Sequence, residues 1–364
     1  MRRFNSLLLA LGLALGGAAS AQTRIVLGGS MPAKGPDSRA LVSFAQKVEQ
    51  QSKGTLKFDA SFDGQVVNFR SSLGGVKDGL VDAIQLYPAF YLSELKVMNT
   101  FVDLGLAASE SWAHTAAVAE TVLLDCPSCD AEFARYKVKP LALSGSAPFN
   151  LICRNPVNTM ADLKAKSIRA VSANQLLVKA VGANPVAIVP SEVFEAMQRG
   201  QVECVFSPLD WIPAYGLADA ARFVVDTPLT HDSSRIPLAV SLDVWKKLTP
   251  DQKQAIVRNL PYLSAEATSN NIADGVAARQ LAESKGLKFG SGGTDYVQQV
   301  ASFRKGELDR VVRDAGARGV EGAAGMVNSY REKLAKWQKI VADGHGDRAK
   351  YEEALWREIY SKFK

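Results

Sequence analysis

Residues able to do covalent chemistry are few and scattered in this 364-residue chain. Cys126-Pro-Ser-Cys129 has the C-x-x-C spacing of a thiol redox pair. Such a pair works as a thiolate, and a thiolate needs a lowered pKa. Here Asp125 and Asp130 flank it, and negative charge raises a thiol pKa. The reading is a local structural disulfide or two idle thiols. A periplasmic thiol–disulfide oxidoreductase is the enzymatic alternative. Cys153 and Cys204 fall on two separate predicted strands and can pair. No Cys/His cluster has zinc-ligand spacing. His114, His231 and His345 stand in unrelated contexts, away from any nucleophile elbow or zinc-protease signature. Gly28-Gly-Ser lacks the lysine and helix start of a phosphate loop. The chain therefore reads as a binding protein rather than an enzyme, with no cofactor and no metal site.

The compartment follows from the first residues. Arg2 and Arg3 precede an apolar run over residues 7–15, and Ala19-Ser-Ala21 supplies small residues before a cleavage point. That is the pattern of a secretory signal, and the run is shorter than the ~20 residues of a bilayer span. Residues 1–21 are read as a signal peptide and the mature chain, 22–364, as a soluble periplasmic protein. The net charge of +6 is spread along the chain. No basic run interleaves with aromatics, so a nucleic-acid partner is not expected.

The elements that must position any site come in two series. A strand over 24–27, a helix from Asp37, a strand over 56–60, a helix over 69–78 and a strand over 81–86 alternate β-α-β-α-β. In the first helix Leu41, Phe44, Ala45 and Val48 share a face. Residues 141–144 and 149–153 are extended. A second β-α-β-α-β series then runs from Ser167 to Phe206, with Gly182 and Gly200 closing its helices. Thr249-Pro250 starts a helix that should break at Pro261 and resume to about 284. A short strand over 287–289, a helix over 296–314 and two tail helices follow. The fold class is α/β: a two-lobe, hinged receptor with an inter-lobe cleft and C-terminal helices. The expected division is lobe I at 22–147 and about 232–284, lobe II at 148–231 and about 285–325, and a tail at 326–364. Tyr330, Leu334, Trp337 and Val341 give the tail an apolar face. That face packs on the body or forms a homodimer.

Specific residues carry a resemblance. Asp162-Leu-Lys-Ala-Lys-Ser-Ile-Arg169-Ala-Val resembles the DLKGxKIRV segment of the DctP family, the substrate-binding proteins of TRAP (tripartite ATP-independent periplasmic) transporters. The stretch from Gly182 through Glu192-Val-Phe-Glu-Ala-Met-Gln-Arg-Gly200 to Glu203 resembles the family's GAxPxxxxxxEVYxALQxGxVDG block. Gly64-Gln65, Asp78-Gly79-Leu-Val-Asp82 and Val244-Trp-Lys-Lys-Leu match shorter family segments in the right order. The resemblance spans about residues 25–307. It implies capture of a small organic acid and its delivery to TRAP membrane subunits. The alternative partner is a sensor protein.

The family's carboxylate-binding arginine falls on Arg169. A planar guanidinium fork suits a carboxylate. Where sialic-acid-type members carry a second arginine, this chain has Ala147-Pro-Phe149. Where many members read GQENP, it has Cys204-Val-Phe-Ser207-Pro208, and Tyr87 stands where some have glutamate. Aromatic residues replace those polar groups: Tyr87, Phe90 and Tyr91 after one strand, Trp211 and Tyr215 after another. They suit a planar or apolar acid held at one end by Arg169. The expected site is Arg169, Ser207, Tyr87, Trp211, Gln65 and Asn150. Some relatives recruit a cation, but no ligand set for one is readable here.

Overall fold

The computed structural model describes residues 22–107 and 110–363; the expected signal segment, 1–21, lies outside them. The described residues contain strands β1 (Thr23–Gly28), β2 (Leu56–Ser61), β3 (Ala83–Leu86), β4 (Val138–Ser144), β5 (Phe149–Cys153), β6 (Ser167–Arg169), β7 (Asn184–Val186), β8 (Cys204–Pro208), β9 (Phe223–Val225), β10 (Arg235–Ser241) and β11 (Lys288–Gly290). They form two sheets, ordered β2-β1-β3-β10-β4 and β11-β9-β5-β8-β6-β7. Within the first, β1 runs parallel to β2 and β3, while β10 is antiparallel to β3 and β4. Within the second, β6 runs parallel to β7 and β8. Each sheet has its own apolar core, so the expected two-lobe α/β architecture is found.

Local chemistry explains the elements that frame the cleft. The helix Pro36–Gln51 has proline in its first turn, and it buries Ala40, Leu41, Phe44 and Val48 on the first sheet. The chain leaves lobe I after β4, enters lobe II at β5, and returns at β10. These two crossing segments are bonded to each other. Ser146 N donates to Asp232 O at 2.8 Å, Asp232 N to Ser146 Oγ at 2.9 Å, and Phe149 N to Thr230 O at 2.9 Å. Gly145 sits at the start of the first crossing. A Cβ there would lie 2.2 Å from Ser111 Oγ and 2.3 Å from Thr115 Oγ1, so only glycine fits.

Three boundaries differ from the sequence reading. The helix Pro250–Ser284 runs through Pro261 without a break. Proline removes one backbone donor, but Leu260, Leu263, Ala265 and Ala267 are buried around it and hold the helix together. The helix expected over 296–314 is two, Thr294–Arg304 and Glu307–Ala317, separated at Gly306 with φ 74°. The second of these buries Val311 and Ala315 in the lobe I core. The chain has thus returned to lobe I well before residue 325.

The tail helices Ala323–Gly344 and Arg348–Leu355 pack on lobe I, against Ser111–Leu124 and Pro250–Ser284. Trp337 is fully buried, and its Nε1 donates to Glu120 Oε2 at 2.7 Å. Tyr351 Oη donates to the Trp112 carbonyl at 2.9 Å. The apolar face that suggested a homodimer is therefore occupied within the chain itself.

Both cysteine pairs are disulfides, Cys126–Cys129 and Cys153–Cys204. The register of β5 on β8 sets Cys153 opposite Cys204. Cys126 and Cys129 are buried, with Cys126 Sγ 3.8 Å from Met326 Sδ of the tail. Among the described residues no helix is long and apolar enough to cross a membrane.

Removing the Trp337 ring leaves a cavity and takes one donor from Glu120, which keeps Lys336 Nζ at 2.7 Å. Trp337→Ala should cost about 3–5 kcal/mol of stability. Urea unfolding checks this; a loss under about 1 kcal/mol would show that the tail is not part of the lobe I core.

Candidate ligand site between the lobes

The strand ends of both sheets meet around a cavity lined from both lobes. It is narrow, leaving about 50 Å³ for the centres of water-sized molecules.

Arg169 ends β6 and is 2% exposed. Its Nε donates to the Ile188 carbonyl at 2.8 Å and its Nη1 to the Phe206 carbonyl at 3.2 Å. Its Nη2 is buried with no partner among the described residues. Trp211 opens the short helix Trp211–Ala214, and its ring centroid lies 4.8 Å from the guanidinium carbon. Tyr215 packs edge-on against that indole at 5.2 Å. Burial pulls the Arg169 pKa down to about 10, so the group keeps its charge at neutral pH. The arrangement is a desolvated cation, fixed by carbonyls and a ring, with donor capacity to spare.

The lobe I wall is aromatic. Phe69 lies 5.4 Å from Tyr87 and 5.1 Å from Phe90, centroid to centroid. Tyr87 Oη donates to Asp37 Oδ2 at 3.1 Å. Burial, then the Asp37 charge, raises the Tyr87 hydroxyl pKa well above its ordinary value. Asp37 is fully buried, and it also accepts from Ser144 Oγ at 3.2 Å, Asn271 Nδ2 at 2.9 Å and Arg235 Nη1 at 3.3 Å. Four donors make an ionised carboxylate tenable in the interior. The lobes also touch beside the cavity, where Ser172 Oγ donates to Asn99 Oδ1 at 3.2 Å. His231 lines the cavity too; burial lowers its pKa to about 4, so its imidazole is neutral at pH 7.

The match to known proteins now has a geometry behind it. Residues 27–296 match the family model described as bacterial extracellular solute-binding protein, family 7 (DctP). The chain belongs to that family. A solute-binding protein from Roseobacter denitrificans is 28% identical over 180 residues, 49% of this chain and 53% of that protein. The matched stretch thus spans about half of that curated relative. Among solved structures, a TRAP solute-binding protein from Rhodoferax ferrireducens T118, in complex with copurified benzoate, superposes with TM-score 0.76. It is 19% identical and covers 88% of this chain and 100% of its own. A marine-metagenome TRAP solute-binding protein specific for aromatic acid ligands, in complex with 3-hydroxybenzoate, also gives TM-score 0.76. It is 18% identical and covers 87% and 99% of the two chains. At these identities the structural likeness speaks for the fold.

Of the residues singled out in this family member's sequence, the structure brings Arg169, Tyr87 and Trp211 together on the cavity wall. It does not bring the other three there. Gln65 is exposed in the loop after β2. Asn150 and Ser207 are cross-strand partners on β5 and β8, buried on the sheet face that carries Arg169 but not in the cavity lining, each with an oxygen that has no partner among the described residues. Phe90, one of the aromatic candidates, and Phe149 also line the cavity. Sequence reasoning missed Arg235, His231, Asp232, Phe69 and Met31, which line it as well. Arg235 had a signal: it is a lone charge at the head of the otherwise apolar strand Arg235–Ser241.

Asp210 stands just outside this cavity, before Trp211, and faces a separate inter-lobe groove with Asp63 and Asp274. It is 3% exposed, and among the described residues neither carboxyl oxygen has a partner. Burial raises its pKa from 3.8 to about 7; Arg235 pulls it down, while Asp274 and Asp37 push it up. The folded state then holds a proton that the unfolded state releases between those values. Asp210 therefore lowers stability as pH rises from about 4 through 7. Neutral His231 and His114, lowered to about 4 and about 3, act oppositely below pH 6.5. Comparison with Asp210→Asn isolates the carboxyl. Relative to wild type, the variant should gain on the order of 4 kcal/mol between pH 4 and pH 8. Urea melts across that range check it, and a difference that stays flat with pH would contradict it.

Proposed function

We propose that the chain is a periplasmic receptor that captures a small aromatic organic acid, by its carboxylate, for delivery to TRAP membrane subunits. Arg169 carries this reading: among the described residues it is a buried guanidinium with no acidic partner and one unpartnered nitrogen, in a cavity walled by rings. A buried charge of this kind is costly unless it is paired, and a ligand carboxylate pairs it. Tyr87, Phe69, Phe90 and Trp211 supply flat surfaces to a planar ligand body. The relatives in complex with benzoate and 3-hydroxybenzoate support an acid of this class. Asn150 and Ser207, on the sheet face that carries Arg169, fit as supporting residues beside it, and Gln65 as a residue of the cleft rim.

Family membership and the expected signal segment support a periplasmic setting. The crossing segments between the lobes suit a hinge that closes on a solute.

The test is calorimetric titration of the mature protein with benzoate and 3-hydroxybenzoate, with thermal shift alongside. A ligand at 100 times its dissociation constant adds about 2.7 kcal/mol of stability. Arg169→Ala, shown to be folded by circular dichroism, should lose binding by about 30-fold or more. Wild type that binds neither acid, or a variant that binds as well as wild type, would overturn the reading.

A further inference from the structure

The cavity contains a second arginine, treated differently from the first. Arg235 opens β10 and is 3% exposed, yet it lines the same cavity as Arg169. Its guanidinium sits between two carboxylates. Nη1 donates to Asp37 Oδ2 at 3.3 Å, and Nε lies 3.5 Å from Asp232 Oδ2. Nη1 also donates to Asn271 Oδ1 at 2.6 Å. Asp232 lines the cavity itself, and its side chain is 23% exposed. At the Arg235 end, then, one cation meets two carboxylates. At the Arg169 end, one cation meets two carbonyls and an indole ring.

We infer that Asp37 and Asp232 set the charge of the ligand, so that the cavity takes a monocarboxylate and rejects a dicarboxylate of the same shape. This rests on the proposed carboxylate anchor at Arg169. The first ligand carboxylate pairs with Arg169, which among the described residues has no acidic partner. A second one, carried on the far side of a planar body, meets one cation already shared by two carboxylates, Asp37 and Asp232, the latter also accepting from Ser234 N and Oγ. Away from bulk water that like-charge contact is screened less than it would be in open solvent. Discrimination thus comes from a repulsive element as well as an attractive one. Asp37 also accepts the Tyr87 hydroxyl, so it acts on the ligand through the wall as well as through Arg235.

The experiment titrates three probes of one frame: benzoate, monomethyl terephthalate and terephthalate. The monoester matches the diacid in length but has one charge. Wild type should bind benzoate and the monoester and bind terephthalate at least about 100-fold more weakly than the monoester. Asp232→Asn removes one carboxylate at a partly exposed position and should narrow that ratio by about tenfold or more. Asp37→Asn, verified as folded, should narrow it in the same direction. Wild type that binds diacid and monoester alike would overturn the inference, as would variants that leave the ratio unchanged. Arg169→Ala keeps the two proposals apart. If it retains benzoate affinity, the anchor reading fails; if it loses benzoate while the diacid-to-monoester ratio ignores both aspartates, only the charge selection fails. Wild type that binds none of the probes overturns both.

Discussion

The structure is organised around a buried guanidinium that the protein does not neutralise. A charge in the interior costs several kcal/mol unless hydrogen bonds and counter-charge compensate it. Arg169 has the hydrogen bonds but not the acid: Ile188 and Phe206 offer backbone carbonyls, and Trp211 offers a ring face. Those three contacts require the order β8-β6-β7 in the second sheet. Phe206 lies on β8, Trp211 follows it, and Ile188 follows β7. The parallel strands flanking β6 thus deliver carbonyls and indole to one point at their carboxyl ends, where open α/β sheets place ligands. The lobe II half of the cavity is a consequence of this strand order.

The lobe I half depends on a different constraint, the need to bury Asp37. That carboxylate lies in the first turn of its helix and is fully buried. Its donors come from β4, β10, the segment after β3, and the long helix Pro250–Ser284. Each donor fixes one element of lobe I relative to the others. Because β4 and β10 also lead into the crossing segments, the same carboxylate sets the base of the hinge. The mutual hydrogen bonds of Ser146 with Asp232, and the close fit of Gly145 against Ser111 and Thr115, then limit how the crossings can move.

Most of the fold was legible because the strands are short, apolar and closed by glycines, and because the helices carry clear apolar faces. Arg169 was legible through its place in a family segment. Tyr87 and Trp211 were legible because they follow strands whose carboxyl ends face the cleft. Asn150 and Ser207 share a cross-strand pair on the sheet face that carries Arg169, yet neither reaches the cavity lining, a distinction that alternation along a strand does not reveal. The Asp37–Arg235 pair was not legible, since 198 residues separate its members. Asp37 read only as the start of a helix, and nothing local marks it as a counter-charge. The tail was ambiguous for the same reason. An apolar helix face shows that something must cover it, and only the fold shows that lobe I does.

Tyr87 joins the two constraints. Its ring is part of the aromatic wall, and its hydroxyl is one of the four donors to Asp37. The shape of the cavity and the charge state of its Arg235 end are therefore not independent. A ligand body that displaced the Tyr87 ring would also strip a hydrogen bond from Asp37, leaving a buried carboxylate less well compensated. Arg235 and Asn271 would then have to hold it with Ser144 alone. The wall resists deformation because moving it costs electrostatic energy as well as packing. A cavity built this way can discriminate on outline and on charge with the same few residues.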